Sequence, residues 1–417
     1  MTGITSATII TIGDELLIGQ TVDTNSAWMA QQLNKIAVDV RRRIAVGDTR
    51  EAILGALDEE LPRTDILLLT GGLGPTADDI TKPLLAEYFD GPLVVDEKVL
   101  EHVKEMFRKR NRPLLDRNLK QAEVPQSCTV LHNRMGTAPG MWFEKDNTIV
   151  VALPGVPFEM MAIMEDEVLR RLRQRITSGA LVHRNIITAG EGESFIAQEI
   201  EDIEAALPSH IKLAYLPSPG LVKLRLTGRG ADERSLIKEV ELHRDAIAGR
   251  IEKLVVGLED LPLEHLLGKV LTTKGVTLGL AESCTGGYIA HLITQIMGSA
   301  GYLQGSIVCY QESVKEDILN VQRATIDSCC VVSEEVAKEM AQGAMKSLKA
   351  DIGFGVTGLL SPAGEDRVDV GTVCVACSNK DRTVSKTFHF HMDRIRNKEL
   401  AAQNSLLFIW RFIHDLI

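Results

Sequence analysis

Residues 65–81 read DILLLTGGLGPTADDIT, an apolar run that ends in a glycine-rich loop and leads into a helical pattern. A continuous apolar strand of this kind is typical of a strand buried on both faces of a parallel sheet. Upstream, ATIITIG and VDVRRRIAV read as strands, and NSAWMAQQLNKI and TREAILGALDEEL read as helices. Strands that alternate with helices predict βαβ units and a three-layer α/β domain.

The pattern changes twice along the rest of the chain. From residue 171, short alternating strands such as IKLAYLPS and LVKLRLTG are broken by Pro and Gly and mixed with helical stretches, which predicts a small α+β module. The acidic segment GLEDLPLEH marks a boundary near residue 260, and βα alternation then resumes with VTLGLAES and DIGFGVTG as strands. The predicted domains are residues 1–170 (α/β), 171–258 (α+β) and 259–417 (α/β).

The composition excludes several classes of protein. Lys and Arg number 46 against 57 Asp and Glu, and the net charge of −11 repels phosphate backbones, which argues against a nucleic-acid partner. No apolar run approaches the roughly 20 residues of a membrane span, and the start lacks the basic segment of a signal peptide. The seven cysteines lack zinc-ribbon spacing and read as reduced thiols. These features predict a cytoplasmic protein without membrane association.

The glycine loop after the apolar strand is a candidate phosphate site. Gly71, Gly72 and Gly74 let backbone N–H groups approach an anion at a helix start. Asp78 and Asp79 would repel a bare phosphate, so they make chemical sense if they hold a divalent cation that bridges it. The alternative is a glycine turn whose aspartates cap the helix, and the local spacing does not separate the two interpretations.

Further acidic residues follow other predicted strands. Asp14, Glu15 and Asp23 come after the first strand, and Asp48 comes after the second. The carboxyl ends of parallel strands meet at one edge of a sheet, where ligands of α/β proteins bind. We therefore expect these acids to gather beside the glycine loop.

A second candidate site follows the strand VTLGLAES. Ser283 precedes Cys284, Thr285, Gly286 and Gly287 and then an amphipathic helix, so hydroxyls, glycines and a helix start combine as in a phosphate site. Ser283 suits either a nucleophile or an N-cap. The spacing favours the cap, because no GxSxG elbow or His-Asp partner accompanies the serine.

Several amino-terminal motifs resemble a known family. The stretches IGDELLIGQTVDTNSAWMAQQL, GGLGPTADDIT, NRMGTAPGM and LPGVPFEM resemble the amino-terminal domain of the CinA family, the competence/damage-inducible proteins A, which is similar to the molybdopterin-binding fold. The resemblance implies ADP-ribose pyrophosphatase activity with a divalent metal ion (Mg, Co or Mn), and K⁺ is a further candidate ion. The candidate metal ligands are Asp14, Asp23, Asp48 and Asp79. Asp79 is also a candidate catalytic residue, and the candidate substrate-binding residues are Gly71, Gly72, Gly74 and Thr76.

The middle module resembles the small KH-like domain of the same family. The matching stretches are GEGES at residues 190–194 and AYLPSPG at residues 214–220. A KH site for RNA needs a GxxG loop in a basic setting, and the module contains no such loop. We therefore expect the module to be a structural spacer.

The carboxy-terminal motifs resemble the CinA carboxy-terminal domain, which is similar to nicotinamide mononucleotide deamidases. These amidohydrolases convert the carboxamide of the nucleotide to a carboxylate and release ammonia, without a metal or other cofactor. The family's catalytic positions match Ser283, Tyr310 and Lys315, and a lysine whose pKa is lowered by burial can act as the base for a serine. The candidate substrate-binding residues are Thr285, Gly286, Gly287, Thr357, Gly358 and Lys398.

Several positions depart from the family pattern. Glu312 lies in a Tyr-Gln-Glu stretch where active relatives have Tyr-Ser-Asn, two glycine positions of the loop at residues 358–366 are Ser361 and Ala363, and Lys398 stands where an Arg is expected. These changes add bulk and negative charge and remove bidentate phosphate recognition. Two alternatives to the two-enzyme interpretation therefore stay open: a nucleotide-binding scaffold with an inactive carboxy-terminal domain, and a competence partner. The family also implies a homodimer, with ADP-ribose and nicotinamide mononucleotide as small-molecule partners.

Overall fold

A computed structural model describes residues 4–76, 78–176, 179–362 and 368–417. The chain packs into two compact units. One contains the residues of the amino-terminal sheet, the other contains those of the carboxy-terminal sheet, and each takes part of the middle segment. Among the described residues, no helix has the length and apolar composition needed to cross a membrane.

The amino-terminal segment is built on a six-stranded sheet and a separate two-stranded ribbon. Its strands are β1 (Ser6–Ile12), β2 (Asp39–Val46), β3 (Ile66–Thr70), β4 (Leu93–Val95), β5 (Glu123–Pro125), β6 (Thr129–Leu131), β7 (Gly140–Lys145) and β8 (Thr148–Leu153). The sheet order is β2-β1-β3-β8-β7-β6, and β4 pairs with β5. The pairs β1/β2, β1/β3 and β3/β8 are parallel, so the ends of four strands point the same way. Strands β7 and β6 continue the sheet antiparallel.

Helices bury both faces of this sheet. They are α1 (Asp14–Leu17), α2 (Thr24–Asn34), α3 (Arg50–Glu60), α4 (Thr81–Tyr88), α5 (Glu97–Lys109), α6 (Asp116–Leu119), α7 (Pro157–Ile163) and α8 (Leu169–Arg175). Ile9 packs in one apolar cluster with residues of α2, α7 and α8, and Ile10 packs in a second cluster with residues of α3 and α4. Successive residues of a strand point to opposite faces, so β1 and β3, in which every residue is buried, need a helical layer on each side. The predicted three-layer α/β domain is confirmed.

The middle segment mixes one four-stranded sheet with three helices. Its elements are β9 (Ala180–Ala189), α9 (Glu193–Glu199), α10 (Glu201–Ala205), β10 (Ile211–Ser218), β11 (Leu221–Gly230), α11 (Glu233–Arg250) and β12 (Val255–Gly257). The strand order is β10-β11-β9-β12. This is the α+β module that the broken strand pattern predicts.

The carboxy-terminal segment has a mixed five-stranded sheet. Its strands are β13 (Leu278–Glu282), β14 (Leu303–Val308), β15 (Ile352–Gly358), β16 (Thr372–Ser378) and β17 (Thr383–His389). Its helices are α12 (Leu263–Lys274), α13 (Tyr288–Thr294), α14 (Glu312–Leu319), α15 (Arg323–Cys329), α16 (Glu334–Ser347) and α17 (Arg394–Ile413). The order is β14-β13-β15-β16-β17; β13 pairs in parallel with both neighbours, whereas β16 and β17 are antiparallel. The ends of β13, β14 and β15 therefore lie at one edge, where the second candidate site forms.

Two helical layers again cover the sheet. Leu280 packs with residues of α12, α13 and α17 on one face, and its neighbour Ala281 packs with residues of α14, α15 and α16 on the other. The carboxy-terminal α/β prediction is confirmed, with two antiparallel strands added at one edge.

Candidate active site

Ser283 lies in a turn between β13 and α13 and does not cap the helix. Helix α13 begins at Tyr288, and its N-cap is Gly287, which makes no side-chain cap hydrogen bond. Ser283 is 8 % exposed, and its backbone N–H donates to the carbonyl of Val356 in β15. The expectation that Ser283 is an N-cap is therefore wrong, because four residues separate the serine from the first turn of the helix.

The acid before Ser283 satisfies the helix start instead. The Glu282 side chain is fully buried, and its carboxylate accepts the backbone N–H groups of Ile289 at 3.0 Å and Ala290 at 2.9 Å. It also accepts the hydroxyls of Thr285 at 2.8 Å and Ser306 at 3.0 Å. A carboxylate at a helix start interacts favourably with the helix dipole and with N–H groups that lack partners. Glu282, the last residue of β13, thus fixes the turn that contains Ser283.

This arrangement changes the expected roles of the glycine turn. Thr285 is fully buried and its hydroxyl is used by Glu282, so it is not placed to contact a substrate phosphate. Gly286 and Gly287 have φ of 60° and 87°, where glycine is favoured, and they shape the turn. Lys398 lies near this turn, with its Nζ 5.4 Å from the centre of the Tyr288 ring. The expected phosphate site at the start of α13 instead receives the Glu282 carboxylate.

Lys315 is the partner of Ser283. Helix α14 places Lys315 at the edge of the sheet, where its side chain is 1 % exposed. The Lys315 Nζ donates a hydrogen bond to Ser283 Oγ at 3.1 Å and another to the Cys309 carbonyl at 2.6 Å. Burial lowers the pKa of Lys315 from the usual value for lysine, because desolvation disfavours the ammonium form. A buried amine in contact with a serine hydroxyl is the geometry of an activated nucleophile.

A cavity of about 560 Å³ opens above this pair. Ser283, Tyr310, Lys315, Thr357 and Gly358, all singled out from the sequence, line it together. Thr285, Gly286, Gly287 and Lys398 are not among the lining residues. The structure thus gathers the predicted catalytic residues of this domain in one place and leaves four of the predicted substrate-binding residues beside it.

Arg394 is a cavity residue that the sequence analysis missed. Its guanidinium donates to the Tyr310 hydroxyl at 3.1 Å and to the Ser361 hydroxyl at 2.7 Å. Arg394 lines the cavity, and no ion pair joins it to a carboxylate within the described parts of the chain. The Asp-Arg pair at the start of α17 was the sequence feature that could have pointed to Arg394, but nothing in the local sequence links this pair to Tyr310.

Two of the residues that depart from the family pattern, Ser361 and Glu312, make specific contacts in the structure. Ser361, in place of a glycine, accepts the hydrogen bond from Arg394. Glu312 is paired with Arg323 at 2.8 Å, which offsets the negative charge expected to repel an anionic substrate. Ala363 lies outside the described residues. At Gly358 an added Cβ would lie 2.8 Å from the Thr372 carbonyl and 3.1 Å from Cys284 Sγ, so the end of β15 requires glycine.

The glycines of the amino-terminal loop approach the protein's own backbone and side chains. Gly71 has φ of 118°, and a Cβ there would lie 2.2 Å from the Ile12 carbonyl. Gly72 has φ of 66°, and a Cβ there would lie 2.1 Å from Thr81 Oγ1. A Cβ on Gly74 would lie 2.3 Å from the carboxylate of Asp79. Tight packing at the ends of β1 and β3 therefore accounts for these glycines, without excluding a phosphate beside them.

The four predicted metal ligands divide into two groups. Asp14 and Asp48 face each other, because each carboxylate accepts the other residue's backbone N–H, at 3.3 Å and 3.1 Å respectively. Asp23 caps α2 and also accepts from Thr11, and Asp79 accepts the backbone N–H and the hydroxyl of Thr76. Within residues 4–76, 78–176, 179–362 and 368–417, no three His, Cys, Asp or Glu side chains are arranged to hold a metal ion.

Two polar groups beside the glycine loop have no partner among the described residues. The Thr81 side chain is fully buried, and no described residue forms a hydrogen bond with its Oγ1. Asn25 donates to the Gly155 carbonyl at 2.8 Å, but its Oδ1 is buried and has no partner in the described part of the chain. Gly155 belongs to the LPG turn after β8, which lies against Gly71. These unpaired oxygens are what a bound ligand or water would satisfy, and the sequence analysis did not single them out.

Three family models match the chain. "Probable molybdopterin binding domain" matches residues 8–174, "Damage-inducible protein CinA KH domain" matches residues 183–257, and "CinA C-terminal domain" matches residues 260–413. The chain is 43% identical over 410 residues to a CinA-like protein of Flavobacterium psychrophilum and 43% identical over 411 residues to one of Cytophaga hutchinsonii, with 98% of each chain covered in both cases. A crystal structure of the protein CinA with unknown function from Thermoplasma acidophilum shares 35% identity over 40% of this chain and 97% of that one, with a TM-score of 0.37.

Proposed function

The chain belongs to the CinA family, with a molybdopterin-binding-like and a CinA carboxy-terminal domain, and we propose that the latter hydrolyses the carboxamide of nicotinamide mononucleotide with Ser283 and Lys315. The observation that carries the proposal is the contact of 3.1 Å between Lys315 Nζ and Ser283 Oγ at the base of the cavity. Because Glu282 caps α13, the Ser283 hydroxyl is not engaged by the helix start.

Ser283, Lys315 and water account for the bonds and protons of the proposed reaction. Ser283 Oγ attacks the carboxamide carbon while its proton passes to the neutral amine of Lys315. The C–N bond then breaks, and the nitrogen leaves as ammonia with the proton that Lys315 returns. Water attacks the resulting ester, Lys315 moves a proton from the water to Ser283 Oγ, and the carboxylate product is released. Burial lowers the pKa of Lys315 and so raises the fraction of neutral base at neutral pH.

Arg394 gives this cavity a binding group for an anionic nucleotide. Its guanidinium is fixed by Tyr310 and Ser361 and points to no carboxylate among the described residues. A planar guanidinium can bind two phosphate oxygens at once, which suits a 5′-phosphate. Lys398, the residue expected to bind the substrate from the sequence, lies outside the cavity lining and is the weaker candidate.

For the amino-terminal domain we propose hydrolysis of ADP-ribose with a divalent cation held by Asp14 and Asp48. Burial, together with the nearby carboxylates of Asp14 and Glu15, raises the pKa of Asp48, and a bound cation would relieve this concentration of negative charge. Two carboxylates suffice for an ion such as Mg²⁺, which keeps several waters and takes phosphate oxygens of the substrate as further ligands. The cation would neutralise the diphosphate and polarise a water. Asp14 and Asp48 each accept one local hydrogen bond. Asp23 accepts hydrogen bonds on both of its oxygens and Asp79 accepts two on one oxygen, so these two carboxylates fit the role less well.

Ammonia release from nicotinamide mononucleotide tests the first proposal. Purified wild-type protein, Ser283→Ala and Ser313→Ala would be compared, because Ser313 lines the same cavity but is not bonded to Lys315. We expect release by the wild type and by S313A and none above background by S283A. Equal release by S283A and the wild type would exclude Ser283 as the nucleophile.

A nucleotide-binding scaffold is the second candidate. The observation in its favour is Ser361, which replaces a glycine of the family loop and occupies one donor of Arg394. Calorimetric binding of the mononucleotide without ammonia release from the wild type would support the scaffold and overturn the deamidase.

A further inference from the structure

The seven thiols of the chain differ in accessibility. Cys329 is exposed and Cys330 is half-buried, and they are adjacent in the chain. The remaining thiols are buried, or half-buried in the case of Cys128, and are Cys128, Cys284, Cys309, Cys374 and Cys377. Burial raises the pKa of each of these five, to about 11 for Cys128 and about 12 for Cys284. The thiolate is the reactive form, so the five are poor nucleophiles and the adjacent pair is the accessible one.

The backbone holds the pair at the end of a helix. Cys329 is the last residue of α15, and the N–H of Cys330 donates to the Ile326 carbonyl at 3.0 Å. The Cys330 carbonyl accepts the Ser333 hydroxyl at 2.8 Å, and Cys330 itself has φ of 75°. The two thiols therefore extend from a fixed piece of backbone, with that of Cys329 exposed and that of Cys330 half-buried.

Neighbouring residues suit a bridging atom better than a direct sulfur–sulfur bond. Consecutive Cα atoms are about 3.8 Å apart. Ordinary disulfides need a Cα separation of about 4.4–6.8 Å, so a bond between adjacent cysteines is strained. An atom that accepts two sulfur ligands closes a larger ring and removes this mismatch.

We propose that Cys329 and Cys330 form a vicinal dithiol site for thiophilic electrophiles that take two sulfur ligands, the class represented by monosubstituted trivalent arsenicals. With phenylarsine oxide as the probe, two As–S bonds form, the As–O bond breaks, and the oxygen leaves as water with the two thiol protons. The arsenic stays trivalent, so the reaction needs no oxidant or reductant.

The dithiol lies next to the wall of the Ser283 cavity. Val331 and Val332 follow it in the chain and line that cavity, and the Val331 carbonyl accepts the Thr357 hydroxyl at 3.0 Å. A ligand on Cys330 is therefore one residue from the cavity wall. The site itself does not depend on any activity of the cavity, so it is tested without a turnover assay.

Intact-mass measurement of the reduced full-length chain with limiting phenylarsine oxide tests the proposal. We expect one arsenical per wild-type chain, released by excess 1,2-ethanedithiol, and none on Cys329→Ser or Cys330→Ser. Cys330→Gly serves as a second variant, because glycine tolerates the positive φ at this position and we expect the fold to be retained. Circular dichroism would verify that each variant is folded.

Cys128→Ser and Cys374→Ser are the matched controls, and both should keep the adduct. Cys374 is the informative one, because its pKa is raised in part by the charge of Cys330, which places the two thiols near each other. Loss of the adduct in C374S with retention in C329S would assign the arsenical to Cys330 and Cys374 and overturn the vicinal site. Retention in both C329S and C330S would overturn it as well.

Discussion

Replacing Lys315 by Met tests the proposed base while keeping most of the buried volume. The side chain is 1 % exposed, and methionine is a flexible apolar chain of similar length. A positioned general base contributes about 10²–10⁴-fold to a rate, which corresponds to about 3–5 kcal/mol of transition-state stabilisation. We therefore expect K315M to lower kcat for ammonia release by about 10²–10⁴-fold.

Two opposing terms bear on the stability of K315M. The variant leaves the Cys309 carbonyl without its donor at 2.6 Å, a loss of about 1–3 kcal/mol for a buried polar group. It also removes a buried amine whose charged form is disfavoured by desolvation. Because the terms oppose each other, we expect K315M to stay folded, which urea unfolding would check. The exposed Lys346→Met in the same domain is the control and should leave both rate and stability unchanged.

The pH profile separates a base from a merely structural lysine. The folded-state pKa of Lys315 lies below the usual lysine value, so the neutral fraction grows as the pH rises towards that pKa. Below it, kcat/KM of the wild type should rise about tenfold per pH unit. In K315M this rise should disappear, because Ser283 retains no titrating partner. A K315M rate within about tenfold of the wild type, or an unchanged pH profile, would refute the assignment of Lys315 as the base.

Three further predictions follow from other sites. Arg394→Ala should raise KM for nicotinamide mononucleotide by about 10–100-fold, the loss of one or two charged hydrogen bonds, with R394K intermediate in steady-state assays; an unchanged KM would remove Arg394 from the substrate site. Asp48→Asn should abolish metal-dependent ADP-ribose cleavage and leave ammonia release intact; cleavage at the wild-type rate would contradict the Asp14–Asp48 cation site. Burial lowers the pKa of Lys82 to about 8, so the unfolded chain binds more protons than the folded one between pH 8 and 10.5. Stability of the wild type relative to Lys82→Met should therefore increase by about 3 kcal/mol across that range in urea titrations, and a flat difference would argue against a buried ammonium.

Hydrophobic periodicity was sufficient to predict the layers of the fold. The continuous apolar run of β3 predicted a strand buried on both faces, and the structure covers each face of β1 and β3 with helices. The antiparallel strands β16 and β17 were harder to place, since a buried strand has the same composition in either direction. Strand direction depends on the connection, and only the short link from β16 to β17 constrains it.

The candidate site was predictable only where its residues lie close in sequence or match a family motif. Ser283 and Lys315 were found, but their contact depends on α14, which follows β14 and brings the lysine back to the end of β13. Arg394 comes from a helix that starts 84 residues after Tyr310, and this distance left no local signal of their hydrogen bond. The polar atoms of Asn25 and Thr81 were missed for a different reason. A missing partner is a property of the folded environment, which a sequence does not show.

Ser283 is not the N-cap that local spacing alone favours, and the contacts of Glu282 explain why. A serine that caps a helix uses its oxygen to accept backbone N–H groups, and such an oxygen is less available as a nucleophile. Here Glu282 accepts the N–H groups of Ile289 and Ala290 from the buried end of β13. Ser283, one residue later in the turn, is left to Lys315. The Glu-Ser pair thus places an acceptor for the helix and a hydroxyl for the cavity on adjacent residues. This separation, rather than the glycine turn alone, leaves the Ser283 hydroxyl available for the nucleophilic role that we propose.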